Sequence, residues 1–352
     1  MRSTGAAIVI AGLVIGCAGG TSEAEPSATT PAPITTVRLG YFPNLTHAAA
    51  LIGVQQGHFK TALKDLKLTV TPTIFNAGPD AVTALFGQSL DCSYIGPNPA
   101  INAYVQSEGK AIRVVAGASS AGAALVVRAG ISTVEDLKGK KLATPQLGNT
   151  QDVALRAWLS DEGLASTVEG GGDVSILPQS NAEGLAAVVA GSIDGAWVPE
   201  PWVQEYVAKG ATVLVDEKSL WPDGKFVTTH IICRTEFIRD YPEVVSALIR
   251  GHVAAVDAIL ADPEAAKASF SLAISAITGA TPKPEILSAA WEELSFTFDP
   301  VASSLVKSAE DAVRVGLLDK EKLDAAGGLP GSLYDLTILN EVLQELGKPE
   351  IN

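Results

Sequence analysis

One pattern, repeated at a distance, constrains this chain more than any single motif. VTALFGQSLDCSYI, residues 82–95, lies on LAAVVAGSIDGAWV, residues 185–198, at an offset of 103 residues. Ala84 meets Ala187, Ser89 meets Ser192, Asp91 meets Asp194 and Tyr94 meets Trp197. Each copy reads as a helix, a glycine-containing turn, an aspartate and a short apolar strand, and each runs into a proline-framed loop, GPNP in the first and VPEPW in the second. A duplicated unit of this kind points to two similar lobes. Around it, strands and helices alternate from Thr36 onward. VRLGYF reads as a strand, NLTHAAALIGVQQGHF as a helix capped by Asn44 or Thr46, LTVTPTIF as a strand, and PDAVTALFGQ as a helix opened by Pro79. AIRVVAGA and AALVVRA continue the strands, and NTQDVALRAWLSDEGL predicts an amphipathic helix starting near Asn149. The alternation predicts mainly parallel sheets with helices on both faces. After Phe237 the pattern turns mostly helical.

A chain of 352 residues, 47% apolar, can bury one large core or two medium ones, and its length favours two domains, so disorder is not its default reading. Its formal charge of -14, with no run of Lys or Arg, argues against nucleic acid as a partner. The four histidines are scattered without a metal-ligand spacing, and no nucleotide-binding P-loop is present, so neither a metal nor a cofactor is expected.

The first residues carry an address. After Met1 to Thr4, GAAIVIAGLVIG is apolar for about a dozen residues, too short for a membrane span of about 20 but suited to a signal-peptide core. It ends in VIGC, which resembles the lipobox of bacterial lipoproteins and implies a signal peptide at 1–16 with lipidation at Cys17. Residues 18–33 are rich in Gly, Ser, Thr and Pro and read as a flexible tether reaching roughly 20–25 Å. The chain is thus expected outside the cytoplasm, held by lipid at the outer face of the cell membrane. Cys92 and Cys233 lie in strand-like apolar runs, where free buried thiols are common, although an exported protein can also join them.

The loops after the strands, PNLTHA, NAGPD, GPNPA, PQLGNTQD and VPEPW, place short polar residues at helix starts. Open α/β sheets bind ligands at this edge, beside helix N-termini that favour negative charge. Two such lobes facing each other make a cleft. GYFPNLTHAAALIGVQQGHF, NAGPDAVTALFGQSLDCSYIGPNPAI, VEDLKGKKLATPQLGNTQDVALRAWL and GSIDGAWVPEPW together resemble the solute-binding proteins of ABC importers for aliphatic sulfonates, taurine and nitrate, a group that also holds thiamine-precursor-binding relatives. The resemblance runs from about Val37 to Phe237. It implies an α/β, two-lobed type II periplasmic-binding fold with a helical C-terminal region. The first lobe would comprise 35–122 plus 230–352 and the second 123–229. It also implies that the return strand joins the first-lobe sheet, which would make Cys92 and Cys233 neighbours. The implied mechanism is hinged closure on a small solute and delivery to a permease and its ATPase, both separate chains, by a monomer.

Through matching loops, the resemblance points to Asn44, Thr46 and His47, to Asn98 in GPNP, and to Ser119 and Ser120 at the first crossover. Asn149, Thr150, Gln151 and Asp152 follow at the second-lobe helix start, then Glu200 with Trp202, and Thr229 and His230 on the return crossover. Neutral Asn, Ser and Thr donors suit an anionic head group. Asp152 and Glu200 count against a bare anion such as nitrate unless His47 or His230 is protonated. An aminosulfonate could place its ammonium on a carboxylate, whereas a neutral or heteroaromatic ligand could use Tyr41, Tyr94 or Trp202. Asp152 also reads as a first-turn acid suiting the helix dipole, and Trp197 as core. Two other classes share the fold: an enzyme, with His47, Glu200 and Cys92 as chemical groups, and a sensory lipoprotein. The export signal and the lack of a catalytic motif weigh against the enzyme.

Overall fold

A computed structural model describes residues 31–351; the signal segment, Cys17 and most of the tether lie outside the described residues. The strands, in chain order, are β1 Thr36–Tyr41, β2 Thr69–Ile74, β3 Cys92–Ile95, β4 Ile112–Ala121, β5 Ala123–Val127, β6 Lys141–Thr144, β7 Ser175–Pro178, β8 Gly195–Pro199, β9 Thr212–Asp216, β10 Val227–Arg234 and β11 Leu294–Phe296. They form two sheets, β11-β4-β10-β3-β1-β2 and β7-β6-β8-β5-β9. Both are mixed, where the sequence pattern predicts mainly parallel ones. The βα units supply the parallel pairs β1 with β2 and β3, and β6 with β7 and β8. The strands that carry the chain between lobes run back against them, β10 on β3 and β4, and β5 on β8 and β9.

The 103-residue repeat is realised in matching contacts. Leu39 sits opposite Cys92 in the first sheet as Leu142 sits opposite Gly195 in the second. The Ser89 hydroxyl donates to the Ala84 carbonyl at 3.0 Å, and Ser192 donates to Ala187 at 3.0 Å. The Asp91 carboxylate accepts the Arg38 N–H at 2.8 Å, and Asp194 accepts the Lys141 N–H at 2.8 Å. The repeated aspartate therefore pins the strand beginning beside it.

Side chains alternate across each sheet and fill a buried apolar cluster on each face. Tyr94, Val115 and Ile231 point one way and Ile95, Val114 and Ile232 the other; Leu125, Leu142 and Trp197 oppose Ala124, Ala143 and Ala196. Trp197 is core, its indole N–H donating to Glu217 at 2.7 Å. Cys92 and Cys233 face each other across β3 and β10 and form a disulfide, so the free-thiol expectation is corrected. The pairing strand arrives 141 residues later, beyond the reach of local pattern.

The chain leaves the first sheet at Ala121 and Gly122, both at positive φ (66° and 76°), and a Cβ on Gly122 would stand 2.6 Å from Leu294. It returns at Val227, opposite Ser120. The C-terminal helices pack on the first lobe. The helix Pro242–Ala261 is apolar and long enough to cross a membrane, but Val245, Leu248, Val253 and Val256 are buried in the first-lobe core, so it is a core helix. The helix Ala302–Arg314 touches both lobes: its Ser308 carbonyl accepts Asn98 Nδ2–H at 3.0 Å, and Arg314 pairs with Asp161.

Candidate functional site

The carboxyl edges of the two sheets meet around a small, partly open cavity with a volume of about 30 Å³. The first lobe lines it with Phe42, Asn44, Thr46, His47, Asn76, Ala77, Gly78, Gly96, Pro99 and Thr228, and the second with Pro145, Asn149, Thr150, Gln151, Asn181 and Pro199. No Asp, Glu, Lys or Arg is among these residues. Its polarity comes from amides, hydroxyls, one imidazole and helix starts.

Besides the helices Ala48–Gln55 and Pro97–Gln106, whose N-caps His47 and Gly96 line the cavity, three helices begin here. Ala77, extended, leads into the helix Gly78–Phe86, where a Cβ on Gly78 would stand 2.2 Å from the Pro99 ring. Asn149 caps the helix Thr150–Asp161, its Oδ1 accepting the Asp152 N–H at 2.9 Å. Asn181 opens the helix Asn181–Val189 behind a capping box of Ser180 and Glu183. The first N–H groups of a helix have no partner within it, so the partial positive ends of these helices converge on one space. The lobes meet closely: a Cβ on Gly96 would lie 2.3 Å from Thr150 Oγ1. Only glycine permits that approach.

His47 Nδ1 accepts the Phe42 N–H at 3.3 Å, which leaves the proton on Nε2 as a donor. Burial lowers its pKa to about 3, and that of His230 also to about 3. Both are neutral at physiological pH, so neither supplies the positive charge that a bare anion would need against Asp152 and Glu200.

Six of the residues read from the sequence line the cavity: Asn44, Thr46, His47, Asn149, Thr150 and Gln151. The others lie elsewhere. Asn98 holds Ser308. Ser119 donates to the Thr46 carbonyl at 2.8 Å, and Ser120 accepts the Phe226 N–H at 3.3 Å. Asp152 is buried and fully engaged, accepting Thr144 Oγ1–H at 2.9 Å, Gly148 N–H at 2.9 Å and Arg156 Nε–H at 3.1 Å. It stiffens the loop before the helix. Glu200 is buried and opens onto a separate hinge-side pocket with Gln204, Asp216 and Glu293. Trp202 donates its indole N–H to Asn44 Oδ1 at 3.0 Å. Thr229 and His230 are buried, and their side-chain polar atoms have no hydrogen-bond partner. Tyr41 and Tyr94 belong to the first-lobe core. Reading by loops missed Phe42, Asn76, Asn181 and Thr228; Asn76 and Asn181 follow strands just as Asn44 and Asn149 do, which is the signal that would have found them. Among the described residues, no group of three His, Cys, Asp or Glu could hold a metal ion.

The architecture recurs in solved structures. The periplasmic nitrate-binding protein of Synechocystis PCC 6803 superimposes with a TM-score of 0.73 at 17% identity, covering 90% of each chain. The alkanesulfonate-binding protein of Xanthomonas axonopodis pv. citri, bound to MOPS, gives 0.66 at 20% identity over 82% of this chain and 96% of that one. These likenesses establish the two-lobed periplasmic-binding fold. In sequence, the taurine-binding periplasmic protein of Escherichia coli is 29% identical over 204 residues, 58% of this chain and 62% of that protein. The NMT1-like family matches over residues 30–274, and the chain belongs to that family.

Proposed function

We propose that this protein is the extracytoplasmic solute-binding component of an ABC importer, closing its two lobes on a small organosulfonate-type solute and delivering it to a separate permease and ATPase. The lobes are taken as 35–122 with 227–352 and as 123–226, the return moved from 230 to Val227 because β10 pairs with the first-lobe sheet from there, and Cys17 would carry a lipid anchor that holds a monomer at the membrane. The observation that carries the reading is the inter-lobe cavity lined by neutral donors and helix starts, with no carboxylate and no cation. A sulfonate is a singly charged group with three acceptor oxygens, and amides, hydroxyls and backbone N–H groups can surround it without a counter-ion. The related proteins named for alkanesulfonate and nitrate fit this chemistry, and the one named for taurine shares the sulfonate but adds an ammonium group. Because Glu200 opens onto the hinge-side pocket, an ammonium group in the cavity would find no carboxylate. Simple alkanesulfonates are therefore favoured over aminosulfonates.

Isothermal calorimetry with ethanesulfonate, taurine and nitrate tests this. Ethanesulfonate should bind most tightly, and Gly96→Ala, which wedges Thr150 away, should weaken it by at least tenfold. Lack of binding by all three compounds, or a preference for taurine abolished by Glu200→Gln, would refute the assignment.

A further inference from the structure

Trp202 looks from the sequence like a solute contact, but it is absent from the cavity lining and reaches instead across the cleft. Its indole N–H donates to Asn44 Oδ1 at 3.0 Å, and next to it the Leu45 N–H donates to the Glu200 carbonyl at 3.0 Å. Two adjacent bonds thus join Asn44 and Leu45 of the first lobe to the proline-framed loop of the second.

The first of these bonds has a chemical direction. An indole nitrogen only donates, so the amide it meets must turn its oxygen toward it. A free asparagine side chain can present either end, since oxygen and nitrogen exchange by a half-turn. Asn44 is 6% exposed and lines the cavity, so with Oδ1 committed to Trp202 its NH₂ end is what remains to offer.

We propose that Trp202 is a positioning residue: by engaging Asn44 Oδ1 as the lobes meet, it latches the closed form and fixes Asn44 as a donor toward acceptor oxygens of the solute. This deepens the solute-binding reading and rests on it. The bond to Trp202 exists only when the lobes are together, so the same contact that holds the lobes also sets the polarity of one wall. An acceptor-bearing solute and the latch then strengthen each other, and an amide whose oxygen accepts a hydrogen bond is a better donor at its nitrogen. A solute that only donates gains nothing from the latch.

Trp202→Phe keeps an aromatic ring and removes the N–H. With ethanesulfonate as probe, stopped-flow measurements should show dissociation five- to tenfold faster and association nearly unchanged. The double variant Asn44→Ala/Trp202→Phe should bind no more weakly than Asn44→Ala alone, which a merely structural tryptophan would not produce. Full additivity of the two losses, or unchanged dissociation in Trp202→Phe, would overturn the proposal. X-ray scattering of the solute-free proteins separates the two levels. If wild type binds no sulfonate, the solute reading fails; the latch still predicts a larger radius of gyration for Trp202→Phe than for wild type, and equal radii overturn it.

Discussion

Glu200 shows how one residue can serve two surfaces, with its backbone and with its side chain. Its carbonyl faces the first lobe, while its carboxyl group lies on the hinge side, where Gln204 Nε2–H donates to it at 2.9 Å. Burial, with Glu293 adding repulsion, outweighs that bond and pushes its pKa up from 4.5 to about 7. The folded state therefore holds more protons than the unfolded chain between pH 4.5 and 7, and the stability this group contributes falls as pH rises through that window. Glu200→Gln mimics the protonated acid. Thermal melts should show the variant more stable than wild type above pH 7, by up to about 3 kcal/mol, with the gap closing near pH 4.5. A constant difference at all pH values would show that the shift has another source. The proline-framed acid is legible from the sequence as a loop residue at the cleft edge; the direction of its carboxyl group is not, because a loop carries no periodicity. On β10 the obstacle is position along an irregular strand. Thr228, nearer the start of the strand at the cleft edge, lines the cavity, whereas Thr229 and His230 lie deeper, and shifts of register between Val227 and His230 break the simple two-residue period there.

At the scale of elements, what can be read is local and what cannot is distant. The helix–turn–Asp–strand unit declares itself within fourteen residues, and its repetition alone makes β3 and β8 equivalent. The pairing of β3 with β10 depends on where the chain goes during the intervening excursion through the second lobe, which no window along the sequence contains. The disulfide follows the same logic. Closing a loop with a sequence separation of 141 residues removes unfolded-state entropy worth up to about 5 kcal/mol in the chain-entropy picture. Urea unfolding of the double variant Cys92→Ala/Cys233→Ala should show a clearly lower midpoint. A midpoint matching wild type would mean that the bond does not form in the folded protein. The helix Ala302–Arg314 is another distant effect: helical from its pattern, but only in three dimensions a brace joining Asn98 of one lobe to Asp161 of the other.

For the whole molecule, five buried groups set an opposing pH balance. His47, His230 and His252 are lowered by burial from 6.5 to about 3, 3 and 4, while Glu200 and Glu217 are raised from 4.5 to about 7 each. The histidines make stability rise with pH up to 6.5, because the unfolded chain binds their protons first; the glutamates make it fall between 4.5 and 7. Three against two leaves a shallow rise from 4.5 to 6.5 and a fall just above, at about 1.4 kcal/mol per pH unit for each unbalanced proton. Melting temperature should therefore peak between pH 6 and 7, and a peak at or below pH 5 would contradict these shifts. The route of the chain between the lobes has a further consequence. Because it departs after Ala121 and returns at Val227, whose partner is Ser120, the two attachment points of the second lobe sit side by side. That lobe is a cassette with both leads at one socket: a relative's version could be grafted there with the first-lobe scaffold intact, letting the two walls of the cleft diversify independently.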